Sequence, residues 1–236
     1  MLIVLPPSET KAAGGENDPM EVSFPTLDPV RSEILDDLAA LDAGAMMAAL
    51  RLPASKLGEA EENRKLRDAP VMPAIHRYTG VLYDALDAAS LPDSALDRLA
   101  IGSALFGLVR AGDTIPRYRL SGGSKLPSRD GGTPTMRARW GTSISDVLSG
   151  LGFVVDLRSG AYHALGPVGG AVTARVESEV DGARKVVSHF NKRHKGELAR
   201  ALARGPECSS VDDVAAVART AGFTVEVAGD QVTLVV

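Results

Sequence analysis

Apolar and polar positions change places in short blocks along this chain, and the blocks predict strands and helices in mixed order. Leu2–Leu5 is an apolar run of strand length that stops at Pro6-Pro7, where no ladder donor remains. Ser8, Glu9, Thr10 and Lys11 follow at its C-terminal mouth, before a Gly14-Gly15 turn. Val30, Ile34, Leu38, Leu41 and Met46 keep helical spacing through an acidic segment, predicting one amphipathic helix over 30–50 that ends near Pro53. A strongly polar helix is expected over 54–67. Pro73 suits the first turn of a third helix, with Ile75, Thr79, Leu82 and Leu86 on one face and Tyr78 beside it.

The apolar, glycine-punctuated run 99–108 reads as a buried strand leading into a loop. Residues 110–136 then hold Pro116, Gly122-Gly123, Pro127, Gly131-Gly132 and Pro134, a density of breakers that predicts a long loop without regular structure. Trp140, Ile144, Val147 and Leu148 define the inner side of a helix over 136–149, and residues 153–157 form the next strand. That strand ends in Asp156, Arg158 and Ser159, a second set of polar side chains at a strand terminus. Residues 171–177 alternate as an antiparallel or edge strand, and 188–203 reads as a basic helix with Leu198 and Leu202 inward. A helix over 210–221 and a hairpin around Gly229-Asp230 close the chain. The expected fold class is α+β: a single mixed α/β domain over 1–236 with a central sheet flanked by helices and a long cationic loop.

Composition supports a full core, since 44% of the 236 residues are hydrophobic. No apolar run approaches the ~20 residues that span a bilayer, and the first strand is too short for a signal-peptide core, so the expectation is a cytoplasmic protein with no membrane partner. The single cysteine, Cys208, excludes an intramolecular disulfide and a cysteine-based zinc site. His189 and His194 are five apart and fall on different helix faces, while His76 and His163 stand alone. No metal and no cofactor is expected.

Charge changes the picture more. Residues 107–139 and 184–204 hold 14 of the 26 Lys and Arg against three acids, Asp113, Asp130 and Glu197, a net +11 that leaves −15 on the remainder. The modest overall charge of −4 therefore conceals a polarised chain. The candidate phosphate or nucleic-acid contacts are Arg110, Arg117, Arg119, Lys125, Arg137 and Arg139 from the loop and the helix after it. Lys11 and Lys56 join them from the N-terminal part, and Lys192 and Lys195 from the late basic helix. If these share a groove, the partner is double-stranded or distorted DNA bound through its phosphates without sequence choice. The alternative is solvated charge paired with surface acids. A P-loop is excluded because its G-x-x-x-x-G-K-[ST] spacing is absent.

The second candidate site is a small-molecule pocket at the strand ends, built from Ser8, Thr10, Asp156, Arg158 and Tyr162. It would suit an enzyme acting on a nucleotide or nucleobase-like compound, with Lys11 among the cations clamping its phosphate and Asp156 or Tyr162 handling protons. No nucleophile–base set is evident, so whether the chain catalyses a reaction stays open at this point.

The opening Met1-Leu-Ile-Val-Leu-Pro-Pro-Ser-Glu-Thr-Lys11, then Tyr78-Thr-Gly80 with Tyr83, Ser103-Ala-Leu-Phe-Gly-Leu-Val-Arg110 and Ile115-Pro-Arg-Tyr-Arg119 resemble the peroxide-stress protein YaaA family. Trp140-Gly141, Asp156-Leu-Arg-Ser159 with Tyr162, and Asn191-Lys-Arg-His-Lys-Gly196 continue in the same order across almost the whole chain. The resemblance implies a cytosolic bacterial protein that limits oxidative damage. It also implies a mixed α/β fold with a cationic cleft and a helix-hairpin-helix-like element able to bind DNA. The stretch that would supply that element, residues 55–65, holds one glycine and three glutamates where the hairpin ordinarily has an apolar-Gly-apolar-Gly turn.

Overall fold

Leu2–Leu5 forms the predicted strand (β1) and sits inside an eight-stranded mixed sheet, fully flanked by partners. The computed structural model describes all residues except Ser159, Asp181, Gly182 and 187–190, so Ser159, His189 and the expected start of the basic helix at 188 lie outside the described residues. β1 pairs in parallel with Leu99–Ser103 (β3) on one side and Val154–Asp156 (β6) on the other. A short two-stranded sheet joins Val71–Pro73 (β2) to Thr114–Pro116 (β5).

The apolar run at 99–108 is not one strand. It folds back at residues 104–106, and Gly107–Arg110 (β4) pairs antiparallel with β3 as the sheet edge. The far half of the sheet is Val172–Val180 (β7), Ala183–Val186 (β8), Thr224–Ala228 (β9) and Gln231–Val235 (β10). β7 pairs in parallel with both β6 and β10, so it is not an edge strand, and only its C-terminal end pairs antiparallel, with β8. Its alternation arises from a strand covered mainly on one face. The C-terminal β9–β10 hairpin forms as predicted.

Of four expected helices, three are divided by a local conformational signal and one is shortened. The 30–50 helix becomes Asp28–Ala40 (α1) and Ala43–Leu50 (α2), because Asp42 leaves helical geometry to cap α2 by accepting from the Ala45 amide at 2.8 Å. The polar 54–67 segment condenses into Leu57–Asn63 (α3) between two 3-10 turns. The helix expected from Pro73 splits into Ala74–Arg77 (α4) and Val81–Leu86 (α5), divided by Tyr78 in extended geometry and Gly80 at φ 103°. Asp93–Leu96 (α6) follows. The 136–149 helix divides at Gly141 into Met136–Trp140 (α7) and Ser143–Ser149 (α8). Trp140 is fully buried and donates its indole N–H to the Ala104 carbonyl at 2.8 Å, fastening α7 to the β3–β4 turn.

Gly160–Ala164 (α9) lies beyond β6, and Asn191–Arg204 (α10) and Val211–Thr220 (α11) complete the helices. α10 buries Leu198, Ala199 and Leu202 as its periodicity predicts. It approaches α5 so closely that a Cβ on Gly196 would stand 2.2 Å from the Leu82 carbonyl oxygen. Among the described residues no helix is long and apolar enough to cross a membrane.

Candidate functional site

The sheet topology selects one strand end. The chain leaves β1, places β3 on one flank, and later returns β6 to the opposite flank, so the C-terminal end of β1 is where the parallel order switches direction. Pro6-Pro7 terminates the ladder there and projects residues 8–11 across the mouth. This segment is held against the residues that divide α4 from α5. Lys11 forms an isolated antiparallel bridge with Tyr78, and the Thr10 hydroxyl donates to the Thr79 carbonyl at 3.1 Å. The Ser8 and Thr10 hydroxyls are 3.0 Å apart. Gly80 permits this approach: its φ lies in the left-handed region, and a Cβ there would meet the Thr10 hydroxyl at 3.3 Å.

A cavity of about 500 Å³ opens over this end. Ser8, Thr10, Tyr162, Asn191, Lys192 and Lys195 contribute to its lining. Tyr162 comes from α9 and packs against Gly122, where a Cβ would lie 3.3 Å from its ring, so the long loop and α9 share one wall. The buried Lys195 reaches inward from α10 and donates to the Leu157 carbonyl at 2.9 Å, at the end of β6. Burial pulls its ammonium below the ordinary lysine range, against the opposing attraction of Asp156. The Asn191 Oδ1 is buried without a hydrogen-bond partner among the described residues.

A smaller space of about 110 Å³ adjoins the first through Glu9 and Thr10, and Lys11, Lys56, Arg117 and Arg119 line it with Glu59 and Glu62. Lys11 donates to the Ser8 carbonyl at 2.9 Å and lies 4.3 Å from the centroid of the Tyr118 ring and 5.3 Å from that of Tyr78. Desolvation, reinforced by Arg119, pulls this ammonium from 10.5 down to about 7. The rings beneath it are locked by hydroxyls: Tyr78 and Tyr118 are 2.7 Å apart at oxygen, and Ser103 is 2.7 Å from Tyr118. Burial raises the phenols of Tyr78, Tyr83, Tyr118 and Tyr162, which therefore stay protonated.

The predicted pocket residues separate here. Ser8, Thr10 and Tyr162 reach the cavity, but Asp156 and Arg158 do not line it. They are buried against each other: Asp156 accepts from the Arg158 amide, Nε and Nη2 at 3.0, 2.9 and 2.8 Å, and Arg158 also donates to the Gly166 carbonyl. Asp156 is thus held by Arg158 at the end of β6, away from the cavity lining.

The predicted cations separate as well. Lys11, Lys56, Arg117, Arg119, Lys192 and Lys195 surround the two adjoining spaces, whereas Arg110, Lys125, Arg137 and Arg139 line neither. Arg110 sits 5.4 Å from the Phe24 ring and donates to the Asp97 carbonyl. Arg139 is buried, paired with Asp37 at 2.7 Å and with Glu33 at 2.5 Å. Arg117 pairs with Glu59 and Glu62, Arg119 with Glu9 and Glu59, and Lys56 with Glu59. Lys125, Arg137 and Lys192 are exposed and form no ion pair among the described residues. The glutamates of 55–65 thus absorb much of the loop's positive charge. The role of Tyr118 as the floor under Lys11 had no signal in periodicity, because it depends on a contact between segments more than a hundred residues apart.

Among the described residues no group of three His, Cys, Asp or Glu could hold a metal ion.

The family model described as peroxide stress protein YaaA matches residues 1–228. A UPF0246 protein of Corynebacterium efficiens is 58% identical over 233 residues, covering 96% of this chain and 95% of the relative. One from Corynebacterium glutamicum is 57% identical over 232 residues with 96% and 95% coverage, and one from Streptomyces coelicolor is 42% identical over 243 residues with 96% and 92% coverage. With its cavity at the strand switch point and this similarity along nearly its full length, the chain belongs to the peroxide stress protein YaaA family.

Proposed function

We propose that this chain serves the peroxide-stress role for which its family is named by binding a small phosphate-bearing molecule, of the nucleotide or nucleobase-like class, in the cavity at the end of β1. The observation that carries this reading is the convergence of Ser8 and Thr10 with Tyr162, Lys192 and Lys195 on one cavity of about 500 Å³. That size lies within the roughly 300–1,000 Å³ of small-ligand sites. The exposed Lys192 ammonium suits a phosphate, while the Asn191 amide and the paired hydroxyls suit the edge of a heterocycle.

Duplex DNA is the second reading. It is favoured by the exposed Lys125, Arg137 and Lys192, but Arg117, Arg119 and Arg139 already face carboxylates at ion-pair distance. A duplex would have to displace those partners, of which Asp37 is buried and also held by Arg129, so the small ligand is the better match.

A thermal-shift screen across mono-, di- and triphosphate nucleotides, free bases and inorganic phosphate tests the choice. A ligand selective for the folded state raises the midpoint. The expected result is a rise with at least one phosphate-bearing compound that disappears in Lys192→Glu. No rise with any compound, together with a rise on adding duplex DNA, would favour the second reading.

A further inference from the structure

We propose that Lys11 is an imine-forming nucleophile that captures a small aldehyde or ketone in the space beside the main cavity, an inference that rests on reading this strand end as a small-molecule site. The backbone holds Lys11 from both sides through its bridge to Tyr78 and the hydrogen bond from the Ala12 amide to the Arg77 carbonyl at 2.9 Å. Among the described residues its Nζ has one hydrogen-bond acceptor, the Ser8 carbonyl, and otherwise rests on the Tyr118 and Tyr78 rings. No carboxylate forms an ion pair with it among the described residues. An ammonium has three N–H groups to satisfy, and this setting supplies one strong acceptor. The two ring faces attract the ammonium, but desolvation outweighs them, and the neutral form presents its lone pair to the cavity.

The charged groups around the amine reinforce that state. Burial, reinforced by repulsion from Arg119 and Arg117, outweighs the attraction of Glu9 and Glu59 and pulls the ammonium down to about 7. Glu59 is paired with Lys56, Arg117 and Arg119, and Glu9 with Arg119, and among the described residues neither lies at ion-pair distance from Lys11. Tyr78 and Tyr118 stay protonated and hydrogen-bonded to each other.

The space of about 110 Å³ admits a compound of a few heavy atoms, since one water needs on the order of 10–15 Å³. In the capture step, the Lys11 nitrogen forms a bond to the carbonyl carbon. The carbonyl oxygen then leaves as water, carrying both protons of the neutral amine, and a C=N bond remains. The step is reversible by hydrolysis and needs no oxidant or reductant.

The test uses the intact wild-type protein with glyoxylate as carbonyl probe and cyanoborohydride to trap the imine. Peptide mass mapping then gives the rate at each lysine. A lysine with an ordinary pKa near 10.4 is neutral in well under one molecule in ~1,000 at pH 7. Lys11 is therefore expected to be alkylated at least about tenfold faster than exposed Lys125 or Lys192, its advantage shrinking as pH rises toward 10. The reactive position should vanish in Lys11→Arg. Labelling of Lys11 no faster than Lys125 overturns the proposal, and because the comparison is internal to one folded sample, misfolding of a variant cannot produce that result. The nucleotide screen is independent: its failure removes the main-cavity reading, whereas slow labelling of Lys11 with a positive screen removes only the imine.

Discussion

Arg139 and Asp37 are paired at 2.7 Å with both side chains only 1% exposed, so a cation that looks available in the sequence is an internal anchor of the long loop. Asp37 also accepts from the Arg129 amide at 3.0 Å and its Nε at 3.2 Å, tying the loop to α1 at a second point. Local charge density along a chain therefore overstates what is offered to a polyanion.

One consequence is a shallow salt dependence for any DNA binding. Of the cations proposed for a phosphate groove, Lys125, Arg137 and Lys192 are the exposed ones without an ion pair among the described residues, so a duplex held by that set should show a slope of log K against log salt of about −3, following roughly −0.9 per neutralised phosphate. Fluorescence anisotropy with labelled duplex over a salt series measures it. A slope near −8 would mean that the arginines release their carboxylates.

The Asp156–Arg158 pair predicts a stability effect. Asp156→Asn leaves a buried guanidinium without its counter-charge and should cost about 3–5 kcal/mol. Chemical denaturation checks this, and a loss under 1 kcal/mol would contradict the anchoring role.

Lys11 gives a pH-dependent prediction whose sign follows from its lowered pKa. The unfolded chain binds this proton up to about pH 10.4, whereas the folded chain releases it near 7, so unfolding is coupled to proton uptake between those values. The group's contribution to stability therefore rises from pH 7 toward 10. Below 7 both states are protonated, and the folded state bears the full desolvation cost. Lys11→Met should raise the melting temperature most at pH 6 and progressively less by pH 10. An advantage that is constant across this range would show that the ammonium is not desolvated.

Gly196→Ala tests how the fold positions the site. The added methyl would meet the Leu82 carbonyl at 2.2 Å and force α10 away from α5, carrying Lys192 and Lys195 with it. Overpacking of this kind typically costs about 1–3 kcal/mol. The variant should lose stability on that scale and also bind any cavity ligand more weakly, by calorimetry at a temperature where it remains folded.

Much of the architecture was legible in the sequence because it rests on local signals. β1 is an apolar run cut by two prolines, and α11 begins at Ser210 with a capping box completed by Asp213. The errors lie where one residue overrides a longer period. Asp42 and Gly80 break helices whose apolar spacing continues through them, and the 99–108 run hides a fold-back within uninterrupted hydrophobicity. The mouth of β1 was legible because Pro6-Pro7 followed by Ser8-Glu9-Thr10-Lys11 marks a strand end. The fate of the cations was not, since Glu33, Asp37, Glu59 and Glu62 reach them only through tertiary packing.

The most direct test of the central claim is isothermal titration calorimetry of the intact protein with the best nucleotide from the screen, repeated in the presence of saturating duplex DNA and with Lys192→Glu. The account predicts one site per chain, at least a tenfold loss of affinity in the variant, and little competition from the duplex. Absence of nucleotide binding alongside tight, steeply salt-dependent duplex binding would contradict it.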